Sequence, residues 1–129
     1  GRGQSTLEDV LAEVVAAQGR TVVDDERPEA GSYYRSDHFS FARRGIPAIT
    51  FRGGKAQAVG GVVVGERLAA EGARRYHTVD DEYDEAWPLT GALQDARAML
   101  ELVQRVADAP QAPTWRPTSE FAPREPSGQ

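Results

Sequence analysis

Apolar positions recur at helical spacing twice in this chain, near its beginning and towards its end. Leu7, Val10, Leu11, Val14 and Val15 share one helix face, and Gly19 supplies a stop. Ser5, followed three residues later by Glu8, has the form of a capping box at the start of that helix. The stronger pattern spans Leu89–Asp108, where Leu89, Leu93, Ala96, Leu100, Val103 and Val106 with Ala107 make one stripe, and Arg97 and Arg105 fall off it. Between these helices the apolar runs shorten. Thr21–Val23 is β-branched and predicts a strand. Ile46–Phe51, bounded by Gly45 and Gly53, predicts a buried strand with Pro47 at its tolerant first positions. Ser36 is a candidate N-cap for a helix over 37–44 that Gly45 ends. Residues 62–75 open β-branched and continue with helix formers interrupted by Gly72, so the pattern does not choose between strand and helix. Tyr76–Pro88 is acidic and aromatic with no period.

The order of these elements predicts an α/β fold of three α/β/α layers, with helices flanking part of a mixed, mostly parallel sheet. Two strands are few for such a sheet and would leave its edges and helix faces uncovered, so the expectation is an incomplete domain. Residues 1–108 form the expected domain body. Residues 109–129 carry Pro110, Pro113, Pro117, Pro123 and Pro126 and predict an extended tail, pinned by Trp115 and Phe121 and disordered at its end.

Composition narrows the chemistry. The 129 residues suit one domain, and 40% are apolar. A net charge of −5 argues against a nucleic-acid or anionic-membrane partner, each of which wants a basic surface. No apolar run approaches the roughly 18 residues that a spanning helix needs, and no basic start followed by an apolar core is visible. The chain has no cysteine, which removes disulfides, thiol nucleophiles and thiolate zinc sites. His38 and His77 are its only histidines, so a metal site would lean on carboxylates or on residues outside this chain.

Two segments concentrate reactive groups. Tyr76-His77-Thr78-Val79-Asp80-Asp81-Glu82-Tyr83-Asp84 joins an imidazole to a run of acids and two phenols. Imidazole is a favoured zinc ligand with a carboxylate behind it, but the same run also reads as an acidic surface loop capping the next helix, and no His-x-x-x-His spacing is present. The other segment, Tyr33-Tyr34-Arg35-Ser36-Asp37-His38-Phe39-Ser40-Phe41, sets Ser, Asp and His side by side. Adjacent residues at a helix start diverge, and a working triad is assembled from separated positions, so a serine-hydrolase reading is rejected. Ser36 and Asp37 also read as a helix cap and an acid favoured by the helix N-terminus. Gly53-Gly54 reads as a turn rather than a phosphate loop.

As a pair, these segments resemble the co-catalytic di-zinc exopeptidases of the bacterial aminopeptidase and aminopeptidase Y type. The matching residues are Tyr34-Arg35-Ser36-Asp37-His38-x-x-Phe41 with Gly45-Ile46-Pro47-Ala48, then Tyr76-His77-Thr78-x-x-Asp81-Glu82-Tyr83-Asp84. Weaker matches follow at Trp87-x-Leu89-x-Gly91 with Asp95 and at Trp115-x-Pro117-x-Ser119-Glu120-Phe121. The resemblance implies an enzyme that uses two zinc ions to hydrolyse the N-terminal residue from peptide substrates, in a secreted or periplasmic setting. It places His77 as the last zinc ligand. It makes Tyr76 the candidate for polarising the substrate carbonyl, with Tyr33 as its rival. Ser36, Asp37, His38 and Asp81 would support the site without binding metal.

The family's other ligands, a His, a bridging Asp, a Glu-Glu pair and a further Asp, precede these motifs. The expectation is therefore a C-terminal half, inactive alone, whose partner is the missing N-terminal half of the domain. Two other functions stay open: a catalytically dead domain that binds a partner, and part of a glutaminyl cyclase-like zinc enzyme.

Overall fold

The computed structural model describes residues 3–57 and 59–123. The expected end of the tail, 124–129, lies outside them. The chain divides into two compact units. The first comprises 1–51 with 96–129, and the second comprises 52–95.

The first unit is built on two helices. Helix α1, Leu7–Ala17, buries Leu7, Leu11, Val14 and Val15, the face expected from the spacing of its apolar residues. It ends as Gly19 takes a left-handed φ of 70°, with the Gly19 and Arg20 N–H groups donating to the Ala16 and Val15 carbonyls. Its start keeps only half of the expected capping box. The Glu8 carboxylate accepts from the Gly3, Gln4 and Ser5 N–H groups, the last two at 2.9 and 3.0 Å. The Ser5 hydroxyl, however, is buried without a hydrogen-bond partner. Helix α2, Phe39–Ala42, is one turn long, preceded by a 3₁₀ turn at Tyr33–Arg35. The helix expected over 37–44 is therefore shorter, and its cap residue is His38. Ser36 instead donates through Oγ to the Ser32 carbonyl at 2.9 Å. Gly45, at φ 80°, closes the turn as the Ile46 N–H reaches back to the Phe41 carbonyl.

Helix α4, Thr90–Ala107, supplies the other half of this core from Ala98 and Leu102, which pack with Leu11, Val14 and Val15. The buried face differs from the stripe expected of the sequence. Leu89, Leu93, Leu100 and Val103 are each more than half exposed, and Ala98 and Leu102 face inward instead. Apolar residues occupy more than half of the circumference of α4, so the pattern offers two faces and α1 covers one of them.

The second unit is organised on helix α3, Gly61–Arg75, which resolves the ambiguous 62–75 pattern as helix. Gly65 is its buried residue, and the backbone of Lys55 passes so close that a Cβ at Gly65 would stand 1.8 Å from the Lys55 carbonyl oxygen. Only glycine permits that approach.

The three-layer α/β/α fold with a mixed, mostly parallel sheet is overturned. Among the described residues no strand forms, and the only β pairings are isolated antiparallel bridges at Ser5–Trp115 and Gln57–Gly61. The physical reason is that a strand is a property of two chains of backbone groups. Of Thr21–Val23 and Ile46–Phe51, Val22, Ile49 and Phe51 are partly buried against the core, while Val23 and Ile46 are more than half exposed, so the expected burial of the second run is only partial. Neither run finds a neighbour with which to share a hydrogen-bond ladder, and both stay irregular.

Candidate functional site

The two motif segments lie in different units. In the first, Tyr33 sits at the centre of an aromatic group. Its ring lies 4.4 Å from the His38 imidazole and 5.6 Å from the Phe121 ring, and its hydroxyl donates to the Ala48 carbonyl at 2.9 Å. Burial, with the Glu120 carboxylate nearby, pushes the Tyr33 phenol up to about 12. Tyr34 donates to Glu120 at 2.5 Å, and that bond raises its phenol above the ordinary value. His38 is half-buried, and its Nε2 has no hydrogen-bond partner. Ser36 and Asp37 are exposed, and the Asp37 carbonyl accepts from the Ser40 N–H.

In the second unit, helix α3 ends directly before Tyr76 and His77. The Tyr76 and His77 rings stack at 3.8 Å with planes 22° apart, and both residues are exposed. His77 is the only non-glycine residue with a left-handed backbone among the described residues, at φ 61°. That conformation costs on the order of 1–2 kcal/mol for a residue with a Cβ. The turn beyond it is tightly tied. Thr78 donates through both N–H and Oγ1 to the Arg75 carbonyl, and the Asp81 N–H donates to the Thr78 carbonyl at 3.2 Å.

Arginines frame the same loop. Arg74 and Arg75 both hold the Glu71 carboxylate, at 3.0 and 2.7 Å, and draw its carboxyl down to about 2. Arg74 also pairs with Asp80 at 3.6 Å, and the Arg75 guanidinium lies 5.8 Å from the Trp87 ring centre. An open cleft of about 800 Å³ is lined by Arg74, Arg75, Val79, Asp80, Glu82, Tyr83, Asp84 and Glu85. Tyr76 and His77 are not among the residues that line it.

A zinc ion needs several converging ligands. Among the described residues, no group of three His, Asp or Glu side chains stands close enough to hold a metal ion. The described residues alone therefore do not fit a zinc site, and Asp80, Asp81, Glu82 and Asp84 do not complete one around His77. His77 stands out in the sequence as a candidate ligand, but its conformation does not, because left-handed histidine has no pattern of its own.

A family model described as Peptidase family M28 matches residues 1–103, and the chain belongs to that family. Members of the family depend on zinc. No curated relative and no solved structure matches the chain.

Proposed function

From membership of peptidase family M28, we propose that this chain is the C-terminal half of a zinc-dependent exopeptidase of the aminopeptidase type, acting on the N-terminal residues of peptides. His77 supplies one zinc ligand in this reading, and the remaining ligands and the general base come from an upstream part of the polypeptide. The observation that carries the assignment within the chain is the left-handed backbone of His77, locked between a helix end and the Thr78 turn. Strained backbone is retained where a side chain must point in one direction, and ligation is such a demand.

Tyr76 is the better candidate for polarising the substrate carbonyl. Its phenol is exposed beside His77, where a hydroxyl could donate to an oxygen as negative charge builds on it. The Tyr33 hydroxyl already donates to Ala48, which supports Tyr76 over its rival. Ser36, Asp37, His38 and Asp81 keep supporting roles.

The test begins with the coding sequence upstream of Gly1, which should encode a His, an Asp, a Glu-Glu pair and a further Asp. The enzyme carrying that set should release amino acids from aminoacyl amides rather than cyclise N-terminal glutaminyl peptides. His77→Ala should lose bound zinc and turnover together. Absence of the ligand set, or full zinc retention in His77→Ala, would sink the proposal.

A second reading has its own observation. Val62, Val63 and Leu68 on α3, and Leu93, Leu100 and Val103 on α4, are all about half exposed or more. A partner-binding domain without catalysis would use such faces. Sedimentation of the chain as a monomer that binds no apolar dye would remove this alternative.

A further inference from the structure

Residues beyond the family match are tied into the first unit. The Thr114–Arg116 segment pairs with the start of the chain. The Thr6 N–H donates to the Thr114 carbonyl at 3.0 Å, and the Arg116 N–H donates to the Gln4 carbonyl at 2.8 Å. The Arg116 guanidinium also donates to both Asp9 carboxylate oxygens at 2.7 Å. The Trp115 side chain is buried. A turn centred on the buried Ser119 follows, with its N–H on the Arg116 carbonyl and its hydroxyl accepting from the Phe121 N–H.

This turn sends Glu120 and Phe121 to the Tyr33–His38 motif. The Phe121 ring lies 5.1 Å from Trp115, 5.6 Å from Tyr33, 6.1 Å from Phe39 and 6.4 Å from Tyr34. Phe121 thereby joins the anchored Trp115 to Tyr33 and Tyr34 of the motif and to Phe39 directly after it. Glu120 takes the Tyr34 hydroxyl at 2.5 Å. The motif's own support is sparse by comparison, since it has a single 3₁₀ turn and a one-turn helix. Such short elements are fixed by what packs on them rather than by their own hydrogen bonds.

We infer that Glu120 and Phe121 are positioning residues for the Tyr33–His38 motif, Glu120 acting through the Tyr34 hydroxyl and Phe121 by closing over the Tyr33 ring. The inference takes from the proposed function only the premise that this motif borders the peptide site. The clasp itself is independent of zinc. It also gives residues 114–122 a defined task that the family match, ending at 103, does not cover.

The test is a phenol titration of the whole chain, with ring-labelled tyrosine to separate Tyr33, Tyr34, Tyr76 and Tyr83. Circular dichroism serves as the check that the helices persist. Glu120→Gln should move the Tyr34 titration down towards the ordinary phenol range, because the carboxylate that opposes ionisation is gone. Phe121→Ala should move the Tyr33 titration down from about 12, because one of the rings that cover it is gone. If Phe121→Ala does not fold, Glu120→Gln and Tyr34→Phe carry the test from the exposed side of the clasp. Unchanged titrations of Tyr33 and Tyr34 in folded variants overturn the inference. Shifted phenols in a zinc-loaded enzyme with unchanged turnover would uphold the clasp and instead remove the motif from the peptide site.

Discussion

The Tyr33 hydroxyl donates a hydrogen bond of 2.9 Å to the Ala48 carbonyl oxygen, joining the aromatic motif to the irregular segment that follows Gly45. Tyr33→Phe deletes the donor and leaves that carbonyl without it, at a cost of about 1 kcal/mol. The variant should also change the alkaline limb of stability. The folded phenol holds its proton to about 12, against 10.0 for a fully solvated tyrosine. Folding therefore favours the protonated form. Its contribution is complete below pH 10 and is lost as pH rises through about 12. Denaturant unfolding at stepped pH should show this loss in the wild type and a flatter limb in Tyr33→Phe.

Leu100 and Leu102 are two positions apart on α4 and lie on different faces. Leu102 is 5% exposed and Leu100 is 59% exposed. Leu102→Ala should destabilise the first unit by about 2–5 kcal/mol, through lost transfer energy and a cavity against Leu11, Val14 and Val15. Leu100→Ala should change stability by less than about 0.5 kcal/mol in this chain. Equal costs in chemical denaturation would reverse the assignment of faces.

The clasp should owe its stability to Trp115 rather than to Arg116. Trp115→Ala removes a large buried ring and should cost about 3–5 kcal/mol. Arg116→Ala breaks an ion pair with Asp9 whose two side chains are 40% and 58% exposed, so the expected cost is about 0.2–1 kcal/mol. Thermal unfolding of each variant followed by the far-ultraviolet circular dichroism of the helices would rank the two.

His77 should be a stability liability in this chain. His77→Gly relieves the left-handed backbone and should raise stability by about 1 kcal/mol, less whatever the stacked Tyr76 ring contributes. The same chain, dialysed after zinc exposure, should retain well under one zinc per molecule by elemental analysis, and His77→Gly should not alter that content. Stoichiometric zinc would reveal ligands beyond those that the described residues bring together.

Much of the local structure was legible in the sequence because it is set by near neighbours. The α1 face, the Gly19 and Gly45 stops and the pinning of the tail by Trp115 all follow from periodicity, capping chemistry and large apolar side chains. The motif pair, Tyr33–Phe41 and Tyr76–Asp84, was likewise sufficient to suggest a zinc-peptidase family, and the M28 match over 1–103 agrees at that level. Other features depend on partners distant in sequence. The strands at Thr21–Val23 and Ile46–Phe51 required neighbouring strands that the described residues do not provide. The inward face of α4 depended on where α1 packs, since an apolar surface wider than half a helix leaves the choice to tertiary contact. The sequence by itself determined the family and which residues are candidates for its chemistry. Only the structure shows His77 left-handed beside Tyr76, in a local turn that no residue pattern encodes. Only the tertiary structure decided that Phe121 packs on Tyr33, because that contact exists only once two segments far apart in sequence have met.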